Sequence, residues 1–279
     1  MKAPADEVEA RVRSALQRAG DAVVTTPARE VYLDLAESVS RQAARWQQPD
    51  GMIADPVGGA GREVPTTTAR YTAAVGHLVR ARRCLDLLES GARAMDWCCT
   101  QLVEHWRRGE VWHGAEFCVK DMMAFYEAAR PLVGAERFAR WSDCLKAPPP
   151  EAIYRGGHNW VFYATAAEVL RIRNALSDRH DYVDRALEGE MPNWTAWGMY
   201  RDPGDPVTYD LTVRQSLAMM LEHGYRGAYA QWARKVLRQG ALTTLLFVSP
   251  AGTAPYGGRS NQFHHMEGMI AYLCEWQAK

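Results

Sequence analysis

Apolar side chains recur every three or four positions along most of this chain, which is the period of a helix with one buried face. In ADEVEARVRSALQRAG, Val8, Val12 and Leu16 stand four apart and the segment closes on Gly20, predicting a first helix. PAREVYLDLAESVSRQAARWQ and TTTARYTAAVGHLVRARR predict two more, the threonines being available to cap the third. CLDLLESGARAMDWCCTQLVEHWRR continues the pattern with an expected break near Gly91. GAEFCVKDMMAFYEAARP stops at Pro131, because a residue before proline is driven out of the helical region. GAERFARWSDCLK ends at the prolines 148–150, and HNWVFYATAAEVLRIRNAL is long and apolar. DYVDRALEGE, YDLTVRQSLAMMLEHGY, GAYAQWARKVLRQGALTTLLFV and SNQFHHMEGMIAYLCEWQAK complete the set.

Strand-like alternation is confined to ambiguous pieces near 52–65 and 197–201. Long glycine- and proline-containing connections fall at 49–66, 146–157, 191–207 and 249–259; connections of this length in a compact domain are usually functional or disordered. The expectation is all-α: one domain, 1–279, of paired antiparallel helices that can close into a complete or incomplete (α/α) toroid.

Composition narrows the partners. Lys+Arg and Asp+Glu balance at 33 each, so no global field draws the 279-residue chain to nucleic acid or to an anionic membrane. No apolar run reaches the ~20 residues that span a bilayer. Six cysteines, at 84, 98, 99, 118, 144 and 274, show no metal-type spacing and read as buried free thiols. The N-terminus lacks an apolar signal core, so a cytoplasmic protein is expected unless a leader was trimmed. Ten tryptophans and twelve tyrosines fit a core, and some fit the stacking walls of a sugar cleft.

Three segments carry candidate chemistry. In YRGGHNWVFYATAAEVLR, the glycine pair permits a tight turn and puts His158, Asn159 and Trp160 at a helix start, where Asn159 either caps the helix or faces a cleft. In GMYRDPGDPVTYDLTVRQSL, Tyr209 and Asp210 open a helix; Asp210 suits the helix dipole, whereas Tyr209 and Arg214 are not explained by capping. In SPAGTAPYGGRSNQFHHMEGM, an aromatic hydroxyl (Tyr256), a planar guanidinium (Arg259), amides (Asn261, Gln262) and imidazoles (His264, His265) crowd together. His264 and Glu267 are three apart and share a helix face, but two ligands without a third do not make a metal site, and no cofactor is expected.

GGHNW at a helix start, YRDPGDPVTYDLTVRQSL and SPAGTAPYGGRSNQFHHMEG, set in a multi-helix chain, resemble the helical-toroid carbohydrate-active enzymes, among them the alginate-lyase-like and heparinase II/III-like polysaccharide lyases. The resemblance spans roughly Trp46 to the C-terminus. It implies β-elimination on a uronic-acid-containing poly- or oligosaccharide. Removal of the C5 proton builds charge on the sugar carboxylate, and amide, imidazole or guanidinium donors stabilise it. A base takes the proton and an acid protonates the departing oxygen. The implied assignment is Asn159 and Arg259 on the carboxylate, His158 as base or neutraliser, and Tyr256 or Tyr209 moving the proton. Asn261, His264, Trp160 and Arg214 would line the same cleft. A glucuronidase-like hydrolase on this scaffold is the alternative; it needs two carboxyl groups, with Asp210 and Glu267, joined by Asp202 and Asp205, as candidates. A non-catalytic glycan- or protein-binding module is the third reading.

Overall fold

The computed structural model of the chain describes residues 7, 9–11, 13, 14, 17, 29–56, 65–205, 207–249 and 266–278. Among them the protein is all-α. The α-helices are α1 (Arg29–Ala44), α2 (Pro65–Arg80), α3 (Leu88–Arg107), α4 (Ala115–Ala129), α5 (Ala135–Lys146), α6 (Pro150–Ile153), α7 (Asn159–Arg173), α8 (His180–Glu190), α9 (Val207–Glu222), α10 (Ala230–Phe247) and α11 (Met266–Ala278). Each of the two sequence-ambiguous pieces supplies one residue of an isolated bridge, Ile53 pairing with Gln47 and Tyr200 with Trp194.

Two expectations are corrected. The break foreseen near Gly91 does not occur, and α3 runs through it. A side chain at Gly91 would collide with the Phe125 ring and with Val75, so this glycine admits a close neighbour rather than ending a helix. The interruption comes earlier, where Arg82 and Cys84 adopt left-handed backbone before a 3-10 turn at Leu85–Leu87. The connection 146–157 is also not all loop: Pro150 opens α6, since a first-turn proline has no amide to miss.

The chain divides into two compact units. The first comprises Thr26–Gly156 and Ala167–Arg179. Here α2, α3 and α4 pack around Val75, Leu78, Met95, Met122 and Phe125, all fully buried. Gly76 lies against the Phe125 backbone, so α2 and α4 approach more closely than side chains would allow. Gln47 donates to the carbonyls of Ser90 and Gly51, and the Ile53 amide donates to Thr68, which pins residues 47–53 against α2 and α3. Arg171 is wholly buried; it pairs with Glu168 and donates to the Leu145 and Pro148 carbonyls.

The second unit comprises Met1–Thr25, Gly157–Ala166 and His180–Lys279. It is built on α8–α11 and the first half of α7. Thr208 and Thr212 on α9 donate to the sulfurs of Met266 and Met269 on α11. Phe162, Trp194, Tyr200 and Trp232 form an edge-to-face aromatic cluster with centroids 5.2–6.2 Å apart. Four of the six cysteines are buried free thiols as expected, whereas Cys144 is half-buried and Cys274 exposed. No helix among the described residues is long and apolar enough to cross a membrane.

Candidate functional site

The described candidate residues of the three sequence segments fall in the second unit, and a buried hydrogen-bond network ties the first two segments together. Its centre is Glu190, the last residue of α8. Glu190 accepts from the His158 amide at 2.9 Å, from the Tyr200 hydroxyl at 2.6 Å and from the Asn193 amide at 2.8 Å. A carboxylate at a helix C-terminus opposes the helix dipole, so donors of this kind are what hold it there. A Cβ at Gly157 would sit 2.8 Å from the Glu190 oxygen, so a side chain there would push this carboxylate aside.

His158 follows with φ 63, a left-handed conformation that costs a non-glycine residue about 1 kcal/mol or more. The bonds on either side hold it there. Its own amide goes to Glu190, and the next residue, Asn159, donates from both backbone and side chain to Asp202 Oδ1 at 3.0 and 2.8 Å. The His158 side chain is exposed at the head of α7, with Trp160 exposed two residues on. Asp202 thus accepts at the helix start, and Asn159, expected either to cap the helix or to face a cleft, is buried against that carboxylate.

The same connection reaches α9. The Tyr200 amide donates to Asp210 at 2.8 Å, and Asp210 receives Arg214 at 2.6 Å. Arg214 also donates to Thr244 on α10 at 2.7 Å. Asp210 and Arg214 are both buried to within 2%. Burial and the neighbouring Glu190 carboxylate push the Tyr200 phenol well above its ordinary range, so it stays a donor.

The candidate residues therefore separate. Asn159, Asp202, Asp210 and Arg214 are buried and bonded within the protein. His158 and Trp160 are exposed, Tyr209 is half-buried, and Glu267 is exposed in the first turn of α11. Tyr256, Arg259, Asn261, Gln262, His264 and His265 lie outside the described residues. Glu190, Asn193 and Tyr200 escaped sequence reasoning, although a glutamate ending a helix just before Met-Pro was a usable signal. In the first unit, Glu116 was missed as well. It is buried, its Oε1 has no hydrogen-bond partner among the described residues, and burial raises its carboxyl to about 7. Among the described residues no three His, Cys, Asp or Glu side chains group as metal ligands.

No protein-family model, curated protein or solved structure matches the chain.

Proposed function

We propose that the protein is a carbohydrate-active enzyme that cleaves a uronic-acid-containing oligo- or polysaccharide by β-elimination at the head of α7. The observation that carries this reading is the state of the polar groups there. One imidazole, His158, is exposed on a backbone locked by Glu190 and Asp202, while two of the four candidate carboxyl groups, Asp202 and Asp210, are buried and bonded; of the other two, which are exposed, Asp205 is ion-paired with Arg201 and Glu267 stands at the start of another helix. Hydrolysis of a glycosidic bond needs two carboxyl groups that reach the substrate. Elimination needs one base, one acid and donors for the sugar carboxylate. The exposed indoles of Trp160 and Trp197, 41% and 45% accessible, offer the apolar faces on which sugar rings stack.

In this proposal His158 takes the C5 proton, the C5 electron pair forms the new double bond to C4, and the C4–oxygen bond breaks. The departing oxygen receives a proton from Tyr209 or Tyr256. Arg259 and Asn261 hold the sugar carboxylate, and Asn159 acts by fixing the His158 backbone rather than by touching substrate. The (α/α) toroid belongs to the same proposal, and an experimental structure with the helices in inner and outer rings is its test.

The test of the activity is a screen of uronate oligosaccharides, read by ultraviolet absorbance and product mass. The wild type is expected to give a conjugated, absorbing sugar end with no gain of water, and His158→Ala to abolish it. A product heavier by one water, or full turnover in both His158→Ala and Tyr209→Phe, overturns the reading.

A further inference from the structure

The second unit holds a cleft of about 490 Å³ at the other end of α9 and α11 from the network above. Leu221 and Asp210 lie on one helix, and at 1.5 Å per residue they are about 16 Å apart. The volume is within the roughly 300–1,000 Å³ of small-molecule sites.

Three arginines line it: Arg226 from the turn before α10, and Arg234 and Arg238 one helical turn apart on α10. Arg234 makes no ion pair or hydrogen bond among the described residues. Arg226 spends one nitrogen on the Leu221 and Tyr225 carbonyls. Arg238 is paired with Glu9 of the N-terminal segment, which also receives Arg13. The acidic lining residue, Glu222, accepts from the Tyr272 hydroxyl at 2.8 Å. On the α11 side, Gln277 Nε2 is buried with no partner among the described residues, and Trp276 is half-buried beside it.

Every unspent polar group in this list is a donor, so a ligand that complements the cleft supplies acceptor oxygens. Three guanidinium groups against one carboxylate leave the lining two positive charges in excess. A single uronate carries one negative charge, whereas a phosphate monoester carries about two, with three acceptor oxygens. The half-buried indole offers a flat apolar face to whatever ring bears the phosphate.

We propose that this cleft binds a phosphate monoester of a small ring compound, with the phosphate on Arg226, Arg234, Arg238 and Gln277 and the ring against Trp276. Glu9 is its internal competitor. Its carboxylate occupies Arg238 and has to leave for all three guanidinium groups to reach the phosphate.

The experiment is calorimetric titration of the full chain at constant ionic strength with glucose 6-phosphate, inorganic phosphate, glucose and glucuronate. Glucose 6-phosphate is expected to bind, inorganic phosphate to bind more weakly, and glucose not to bind. Arg234→Gln, a surface change, is expected to weaken glucose 6-phosphate by about tenfold or more through loss of charge-assisted hydrogen bonds. Glu9→Gln is expected to strengthen it by roughly threefold to tenfold by freeing Arg238. Circular-dichroism melting of each variant establishes that it is folded. Unchanged affinity in folded Arg234→Gln, or no binding of either phosphate, overturns the site. Glucuronate binding as tightly as glucose 6-phosphate overturns the phosphate assignment, and an unaltered affinity in Glu9→Gln overturns the competitor.

Discussion

Gly198 and Gly240 meet backbone to backbone, and a methyl group on either would overlap the main chain of the other. The contact seats the 191–206 connection directly on α10. A Cβ at Gly240 would also fall 2.7 Å from the Arg214 side chain, so the same bare spot makes room for the buried guanidinium.

Substitution at this contact is expected to be costly. Gly198 has φ 70, so Gly198→Ala meets both a backbone penalty and a collision. It should lower unfolding free energy by about 2 kcal/mol or more. Gly109 has a similar φ of 72 but nothing within 4 Å of an added methyl, and Gly109→Ala should cost only about 1 kcal/mol. Urea unfolding of the two variants separates crowding from backbone strain; equal losses would mean that the Gly198–Gly240 contact contributes nothing.

The Asp210–Arg214 pair should behave as a unit. Arg214→Met leaves a buried carboxylate without its cation and is expected to cost about 3–5 kcal/mol. Asp210→Asn added to Arg214→Met should recover a measurable part of that loss, because the uncompensated charge is gone. Chemical denaturation of the two singles and the double checks this; additive losses would contradict it.

Glu116 predicts a pH dependence of stability. In the folded chain its carboxyl keeps its proton up to about 7, and in the unfolded chain it loses it near 4.5. Between these values the unfolded state binds fewer protons, so this group's contribution is full below 4.5 and is lost as pH rises through 7. At about 1.4 kcal/mol per pKa unit, the loss between about pH 4 and about pH 8 should be roughly 3 kcal/mol. Glu116→Gln should remove that slope. Parallel slopes for wild type and variant in pH-resolved unfolding would show that the buried carboxyl does not titrate in this way.

Cys144 should be the thiol that alkylates first near neutral pH. A hydrogen bond from Cys99 lowers it to about 7, whereas burial raises the more exposed Cys274. Brief iodoacetamide treatment followed by peptide mapping is expected to find label at Cys144 before Cys274. Cys99→Ala should slow Cys144 severalfold, since the thiolate is the reacting form. Faster labelling of Cys274 would make accessibility, not thiolate population, the controlling factor.

The helices were legible in sequence because each buries one face, and period and punctuation agree. Pro131 closes α4, and Gly224 follows α9. The misreading at Gly91 has a general cause. A glycine within a periodic segment signals either a break or a close neighbour, and only the partner helix, here through Phe125, decides which. In the candidate site, the positions of His158 and Asp210 at helix starts were readable. The bonding of Asn159 was not, because Asp202 reaches it from 43 residues away; Asp210 and Arg214 have the spacing of a helical ion pair, but the Thr244 contact that helps bury them comes from 30 residues on. Glu190 was hidden for the same reason.

Helix α7 passes from one unit into the other at Ala166, and the chain crosses back after Arg179. Neither unit is therefore a continuous stretch of polypeptide, and no single cut can release one intact. During synthesis every residue of the unit ending at Arg179 is translated before α9, α10 and α11 begin. The head of α7 has to wait, its histidine already translated, for the carboxylates that will lock it in place.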